Sequence, residues 1–479
     1  MSLKKQAIHA MSWSLADKLV NQVAGFFVMA YLAKLLGPQS FGLIGMLAVF
    51  IAISDSLVNS GFSQALVQKS NGATDRDFST VFIINLAISI VLYLLLFGVA
   101  PAIATFYSEP LLLDAARALF LVIIINAFGV VVKAKLAISI DFKSVAVANT
   151  VSTLVGAAVG LYLASEEYRH WSLVGMTLSK SLLNVLVLWC FCRWTPQLTF
   201  SWESFKVLFG FGSRLLVAGI IAQLVNNLYV LLIGRYFSAT QVGFLTQSKT
   251  LTDRASGLIN SVLQGVTYPV MTSVNNDQER MVSIYKRLIE ASMLVSFPAM
   301  VGFAAIADPF VRWFLGDEWL PVIPVIVILS LARSITPISS VNLNVLNAIG
   351  RSDLFLRVDL VKLPMTLVGV VVSAPFGVMA VAFSMLITTA ISFFINAYYP
   401  GKLFGFGALS QLKVASRLIV ATLVMLASVL FVEHNNLLVE ISMKSITGAV
   451  VYCLMLFLLR VEVFTDNVKT LLSRLSGFI

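Results

Sequence analysis

The stretch that decides the fold runs from Gln241 to Val274, QVGFLTQSKTLTDRASGLINSVLQGVTYPVMTSV. It is polar for a membrane span, since Gln247, Lys249, Asp253, Arg254, Asn260 and Gln264 stand among its apolar residues. Lys249, Asp253, Ser256, Asn260 and Gln264 nevertheless recur at three- and four-residue steps, which lays five polar groups along one helical face. A charge at bilayer depth costs about 3 kcal/mol on insertion scales, so such a face turns to a bundle interior or a water-filled cavity. The expectation is a membrane helix lining a cavity that other helices enclose.

The rest of the chain supplies those helices. Its 479 residues are 59% hydrophobic and only 12% charged, with a mean hydropathy of +0.92. Soluble domains carry roughly 25% charged residues, so this composition is that of an integral membrane protein. The net charge of +10 fits Lys and Arg on cytoplasmic loops better than a nucleic-acid partner. Apolar runs near the roughly 20 residues that cross a bilayer lie at 10–36, 40–68, 79–106, 112–139, 144–164, 170–194, 208–237, 242–273, 284–314, 320–349, 354–375, 377–400, 412–432 and 441–460. The fold class expected is an all-α polytopic membrane protein of about fourteen transmembrane helices. With the N-terminus inside, 22 of the 33 basic residues, Lys133 and Lys135 among them, fall on the cytoplasmic side and six on the other. Both termini are therefore expected in the cytoplasm. This parity requires 242–273 to cross, because otherwise Arg280 to Arg287 would fall on the wrong side.

Several function classes lose support. Asp17, Lys18, Asn21 and Gln22 interrupt the apolar run behind Lys4 and Lys5, which reads as a retained first helix and not a signal peptide. Cys190, Cys192 and Cys453 fall in apolar spans without a second ligand pair, so no metal site or disulfide is expected. No GxxxxGK[ST], GxSxG or HExxH motif occurs, and His9, His170 and His434 are far apart. No connecting segment is long enough to be a domain. A membrane glycosyltransferase or polymerase is thereby disfavoured, and no enzyme activity, catalytic residue or bound cofactor is expected.

Sliding the chain by 201 residues lays Leu32 to Leu43 over Ile233 to Phe244, with Lys34 on Arg235, Pro38 on Ala239, Gly42 on Gly243 and, upstream, Gln22 on Gln223. Each copy is the turn between the first two helices of a six-helix set. Six is even, so the two sets share one orientation, as parallel repeats do. The division that follows is a lobe over 1–200, a second over 201–405, and two further helices with a basic cytoplasmic tail over 406–479. Gly156 and Gly160 form a GxxxG expected to pack helices within a lobe.

The turn Leu36-Gly37-Pro38 to Phe41-Gly42, Asp141-Phe142-Lys143, Ala348-Ile349-Gly350-Arg351, and Phe297-Pro298-Ala299 through Phe314-Leu315-Gly316-Asp317-Glu318-Trp319 to Ile323-Pro324 resemble the polysaccharide transporter family of the multidrug/oligosaccharidyl-lipid/polysaccharide (MOP) flippase superfamily. Within it the chain is most like the Wzx-type lipopolysaccharide and colanic acid exporters, over about residues 10 to 460. The resemblance implies two six-helix lobes in a V around a central cavity. It further implies a flippase of the bacterial inner membrane that turns undecaprenyl-diphosphate-linked oligosaccharide across it by alternating access, for surface polysaccharide assembly. The lipid-linked glycan, membrane lipid and polysaccharide polymerase or assembly proteins are the partners implied.

An anionic diphosphate needs cations, and sugar hydroxyls need hydrogen-bonding groups in place of water. The cavity cations expected are Lys18, Lys249, Arg254 and Arg333, and the cavity polar groups are Asn21, Gln22, Asn59, Gln223, Asn227, Asn260 and Gln264. Related transporters line their cavity with helices 1, 2, 7 and 8, which favours Lys18, Lys249 and Arg254 over Arg333 and over Lys180. Lys249 and Asp253, four apart, could instead neutralise each other, and one Asp cannot balance both Lys249 and Arg254. Asp55 and Asp253 are candidates for H+ or Na+ coupling, against a fixed salt bridge from Asp55 to Lys18. The rival on the same fold is a cation-coupled multidrug or metabolite exporter, which would favour acidic cavity residues.

Overall fold

The computed structural model describes residues 3–59, 62–68, 73–197, 199–273 and 278–465. No strand occurs among them, and each of the fourteen apolar stretches has helix in its described part. Helix α1 (Leu3–Asn59) holds the first stretch and most of the second, bent at Gly37, whose φ of 68° and ψ of 173° suit glycine; Pro38 then starts the new helical run. There follow α2 (Phe62–Gln68), α3 (Asp75–Tyr107), α4 (Leu112–Leu119), α5 (Leu121–Ile138), α6 (Phe142–Ser165), α7 (His170–Phe191) and α8 (Trp202–Tyr236). The chain continues through α9 (Ala239–Ser273), α10 (Gln278–Ala305), α11 (Ala307–Phe314), α12 (Ile323–Ala348), α13 (Ser352–Ser373), α14 (Val378–Phe404), α15 (Ala408–Leu430) and α16 (Leu437–Leu458).

Among the described residues ten helices are long and apolar enough to cross a membrane. Val23–Val58 is one of the ten and carries the Gly37 bend, so it contains parts of two expected spans. Helices α8, α9 and α13 account for the other three stretches, and α9 is less apolar because of its polar face. The chain is a multi-span membrane protein. Helix starts follow from local chemistry: Thr74 and Asp77 form a capping box at α3, and the Asp141 carboxylate accepts the Ser144 amide at 3.1 Å at α6.

Two compact units divide the chain, Met1–Thr246 and Gln247–Ile479. This boundary lies inside α9 and not at the polar link near residue 200, because α8 packs with the first unit. Leu208 of α8 is buried in the same core as Phe62, Leu66, Phe82, Val131 and Leu188. Gly156 and Gly160 bring α6 against α7, where added Cβ atoms would stand 2.8 Å from Lys180 Cβ and 2.9 Å from Met176 Cβ.

Within the first unit the repeated turns meet. A Cβ on Gly42 would lie 1.7 Å from the Ala239 carbonyl oxygen, and one on Gly243 would lie 2.1 Å from the Pro38 carbonyl oxygen. Backbone touches backbone there, and only glycine permits it.

The second unit has a core of Met271, Tyr285, Ile289, Val345, Leu418 and Tyr452. A fully buried polar cluster ties α10, α12 and α15 together. The Tyr285 hydroxyl donates to Asn342 Oδ1, Asn342 Nδ2 donates to Gln411 Oε1 at 3.1 Å, and Gln411 Nε2 donates to the Tyr285 oxygen at 2.9 Å. Because every member has partners, the cluster fixes α15 to the helices before it.

Candidate functional site

The polar face of α9 meets α12 in the second unit. Lys249 Nζ lies 2.7 Å from Asp253 Oδ2, and Arg333 Nε of α12 binds the other carboxylate oxygen, Oδ1. Ser256, one turn further along α9, donates its hydroxyl to the Arg333 carbonyl at 3.3 Å. The α9 face thus takes up Arg333 through both side chain and backbone. All three charged side chains keep some access, 27% for Lys249, 35% for Asp253 and 20% for Arg333, so they border accessible space. Two cations share one anion, which leaves the trio with a net positive charge.

This answers the question posed by Lys249 and Asp253. They do pair, yet Asp253 also engages Arg333, a residue that the cavity helices of related transporters placed below Lys18, Lys249 and Arg254. Arg254, half-buried on α9 directly after Asp253, adds another positive charge to the same segment. Asn260, two turns from Asp253, has its side-chain oxygen buried with no hydrogen-bond donor among the described residues.

Flanking Arg333 in sequence, Leu331, Ser334, Ile335 and Ile338 border an apolar recess of about 290 Å³ completed by α10, α14 and α15. Charged and apolar surfaces of α12 therefore lie within one turn of each other.

In the first unit, Asp55 sits near the end of α1. Its Oδ1 accepts from Asn126 Nδ2 of α5 at 3.4 Å, and the ammonium of Lys133, two turns along α5, acts on it electrostatically. Sequence reasoning missed both partners by counting Lys133 with the loops. The available signal was the seven-residue spacing of Asn126 and Lys133, which puts them on one helical face inside an apolar run.

Gln223 and Asn227 of α8 satisfy each other, with Asn227 Nδ2 donating to Gln223 Oε1 at 3.2 Å and to its carbonyl at 2.9 Å. Asn21 is half-buried in α1. The side chains of Lys18, Gln22, Asn59 and Gln264 lie outside the described residues, as do residues 466–479 of the basic tail.

Long apolar helices, one of them bent at a glycine-proline turn, with charges gathered on the α9 face that meets α12, define a polytopic membrane protein. Among solved structures the chain is similar to the lipid II flippase MurJ in an inward closed conformation, with a TM-score of 0.73 at 14% identity over 94% of this chain and 98% of that one. It is also similar to an inward-facing multidrug resistance MATE family transporter of the MOP superfamily, with a TM-score of 0.60 at 15% identity, covering 82% of this chain and 96% of the other. At such identities the likeness is one of fold, and the fold is the MOP type that the motifs suggested.

The family described as "Polysaccharide biosynthesis protein" matches residues 31–324, and the chain belongs to it. Relatives include the teichuronic acid biosynthesis protein TuaB of Bacillus subtilis (strain 168), 24% identical over 74% of this chain and 73% of that protein. The lipopolysaccharide biosynthesis protein WzxC of Escherichia coli (strain K12) is 23% identical over 82% of each. The resemblance to Wzx-type exporters drawn from the motifs agrees with these matches.

Proposed function

We propose that this protein is a flippase that carries undecaprenyl-diphosphate-linked oligosaccharide across the bacterial inner membrane by alternating access, supplying surface polysaccharide assembly. The observation that carries the reading is the trio Lys249, Asp253 and Arg333 with Arg254 beside it, an excess of positive charge held inside a span. A diphosphate entering that space exchanges its hydration for ammonium and guanidinium donors, while in its absence Asp253 offsets the mutual repulsion of the cations. A cationic drug would meet repulsion at the same place, which favours the glycolipid over the drug-exporter alternative.

Of the two carboxylates considered for H+ or Na+ coupling, Asp253 is engaged by two cations, which leaves Asp55 to test. If Asp55→Asn kept transport equally dependent on an imposed ion gradient, Asp55 would have no part in coupling. Both termini in the cytoplasm and association with polymerase or assembly proteins belong to the same proposal.

The test is inward-to-outward transfer of a labelled undecaprenyl-diphosphate oligosaccharide in proteoliposomes, for wild type and Arg254→Ala, with folding checked by size exclusion. Transfer by wild type and loss in the variant are expected. Transfer unaffected by the variant would refute the role of Arg254, and no transfer of several glycans would refute the flippase reading.

A further inference from the structure

The face of α5 turned to α1 carries a cation outside the proposed α9 site. Lys133 makes no ion pair or hydrogen bond among the described residues; the charge acting on it is that of Asp55. Its Cε lies 3.9 Å from the point where a Cβ on Gly129 would stand. The lysine stem therefore runs back along α5 over the bare surface of Gly129, toward Asn126 and Asp55, the direction in which helical side chains lean.

With the topology read from the charges, α5 ends at the cytoplasmic surface, so Lys133 points away from the nearer surface. That is the reverse of snorkelling, which would bring the ammonium to the interface. Lys135, two residues on, behaves as a boundary lysine should. It pairs with Asp75 at 2.8 Å and lies over the rings of Phe78 and Trp194 at 4.4 and 5.0 Å.

The Asp55 carboxylate is occupied in part by the Asn126 amide at 3.4 Å and offsets the cost of Lys133 without closing on it. A contact ion pair would leave the ammonium little to offer. A separated pair keeps its donors available, and Lys133 is solvent-accessible.

We propose that Lys133 is an anion-binding residue held ready by Asp55 and Asn126. An anionic group of the cargo, a diphosphate or a sugar carboxylate, takes the place of Asp55 as its counter-charge. This rests on the flippase reading and adds a second cationic station to it, in the first unit and near the cytoplasmic ends of α1 and α5. Asp55 then competes with the cargo anion, and removing its charge strengthens binding.

The experiment uses the full chain in phosphatidylcholine nanodiscs. Binding is measured for undecaprenyl diphosphate, for a phosphate-free polyprenol bearing glucuronic acid, and for undecaprenol as the neutral control. Lys133→Gln should weaken the arm carrying the recognised anion about tenfold, the weight of one charge-assisted hydrogen bond. Lys133→Arg should stay within about twofold of wild type and Asp55→Asn should bind several-fold more tightly, with undecaprenol unmoved throughout. Loss confined to one anionic arm identifies which group Lys133 meets. Unchanged binding of both by Lys133→Gln, or weakening by Asp55→Asn equal to that of Lys133→Gln, would overturn the proposal, the second by making the pair structural. Melting temperatures and the Arg variant separate misfolding from lost recognition. Wild type binding neither anionic lipid would bring down the flippase reading itself, whereas wild-type binding equalled by Lys133→Gln would remove only Lys133.

Discussion

Replacing Asp253 with Asn keeps its shape and removes the charge that joins α9 to α12. Lys249 and Arg333, held on opposite oxygens of one carboxylate, are left facing each other. Two unit charges about 5 Å apart repel by about 3 kcal/mol at an effective dielectric of 20. The side chains are 20 to 35% exposed, so water screens part of this, and the lost attraction lies between the values for surface and buried pairs. Together these give a destabilisation of about 2–4 kcal/mol for Asp253→Asn. Adding Arg333→Gln removes the repulsion, and the double variant should recover to within about 1 kcal/mol of wild type. The assay is unfolding in mixed micelles with rising SDS fraction, run beside transfer in proteoliposomes. If the trio serves the cargo, the double variant regains stability and still fails to transfer. Asp253→Asn within 0.5 kcal/mol of wild type, a threshold set by the usual scatter of about 0.5 kcal/mol for surface changes, would refute the charge argument.

Three further outcomes follow from the same geometry. Gly42→Ala places a Cβ 1.7 Å from the Ala239 oxygen, so it should lower the unfolding midpoint and the yield of monodisperse protein, whereas Gly98→Ala, facing open space, should not. Gln411→Leu strips partners from the buried Tyr285 and Asn342 and should cost about 2–3 kcal/mol in the same micelle titration. At the start of α13 the hydrogen bond from Arg351 holds the exposed Asp353 carboxyl down at about 2. A depressed carboxyl stabilises the fold above its unfolded pKa, so this contribution should be constant from pH 5 to 8 and fade only as pH falls from about 4 toward 2, a fade absent in Asp353→Asn.

The helical stretches were legible because membrane spans leave a strong, local signal: each needs some 20 apolar residues whatever it packs against. The bend at Gly37-Pro38 was equally legible, since glycine with positive φ followed by proline is a local instruction. Pairing was less so. The i,i+4 contact of Lys249 and Asp253 is written in their spacing, but the claim of Arg333 on the same carboxylate comes from a helix 80 residues away and has no local trace. Lys133 was misplaced for a related reason. Counting charges by distance from a span end treats every terminal lysine as a snorkelling one, and the stem that turns inward over Gly129 is a property of α5 against α1.

The repeat gives the strongest test of how far sequence reaches. An offset of 201 residues maps Pro38 onto Ala239 and Gly42 onto Gly243, with too few identities to distinguish kinship from coincidence in apolar sequence. In space the glycine of each copy packs on the residue that the same offset pairs with the other copy's start: Gly42 on Ala239, and Gly243 on Pro38. Both contacts lie within the first unit and are backbone against backbone, so the two turns cross only where each offers a glycine. The amide nitrogens agree, each lying 3.0 to 3.2 Å from the other glycine's added Cβ. The two glycines that the offset aligns are thus the residues whose missing side chains let these turns meet, because at the crossing both segments need the smallest residue at once.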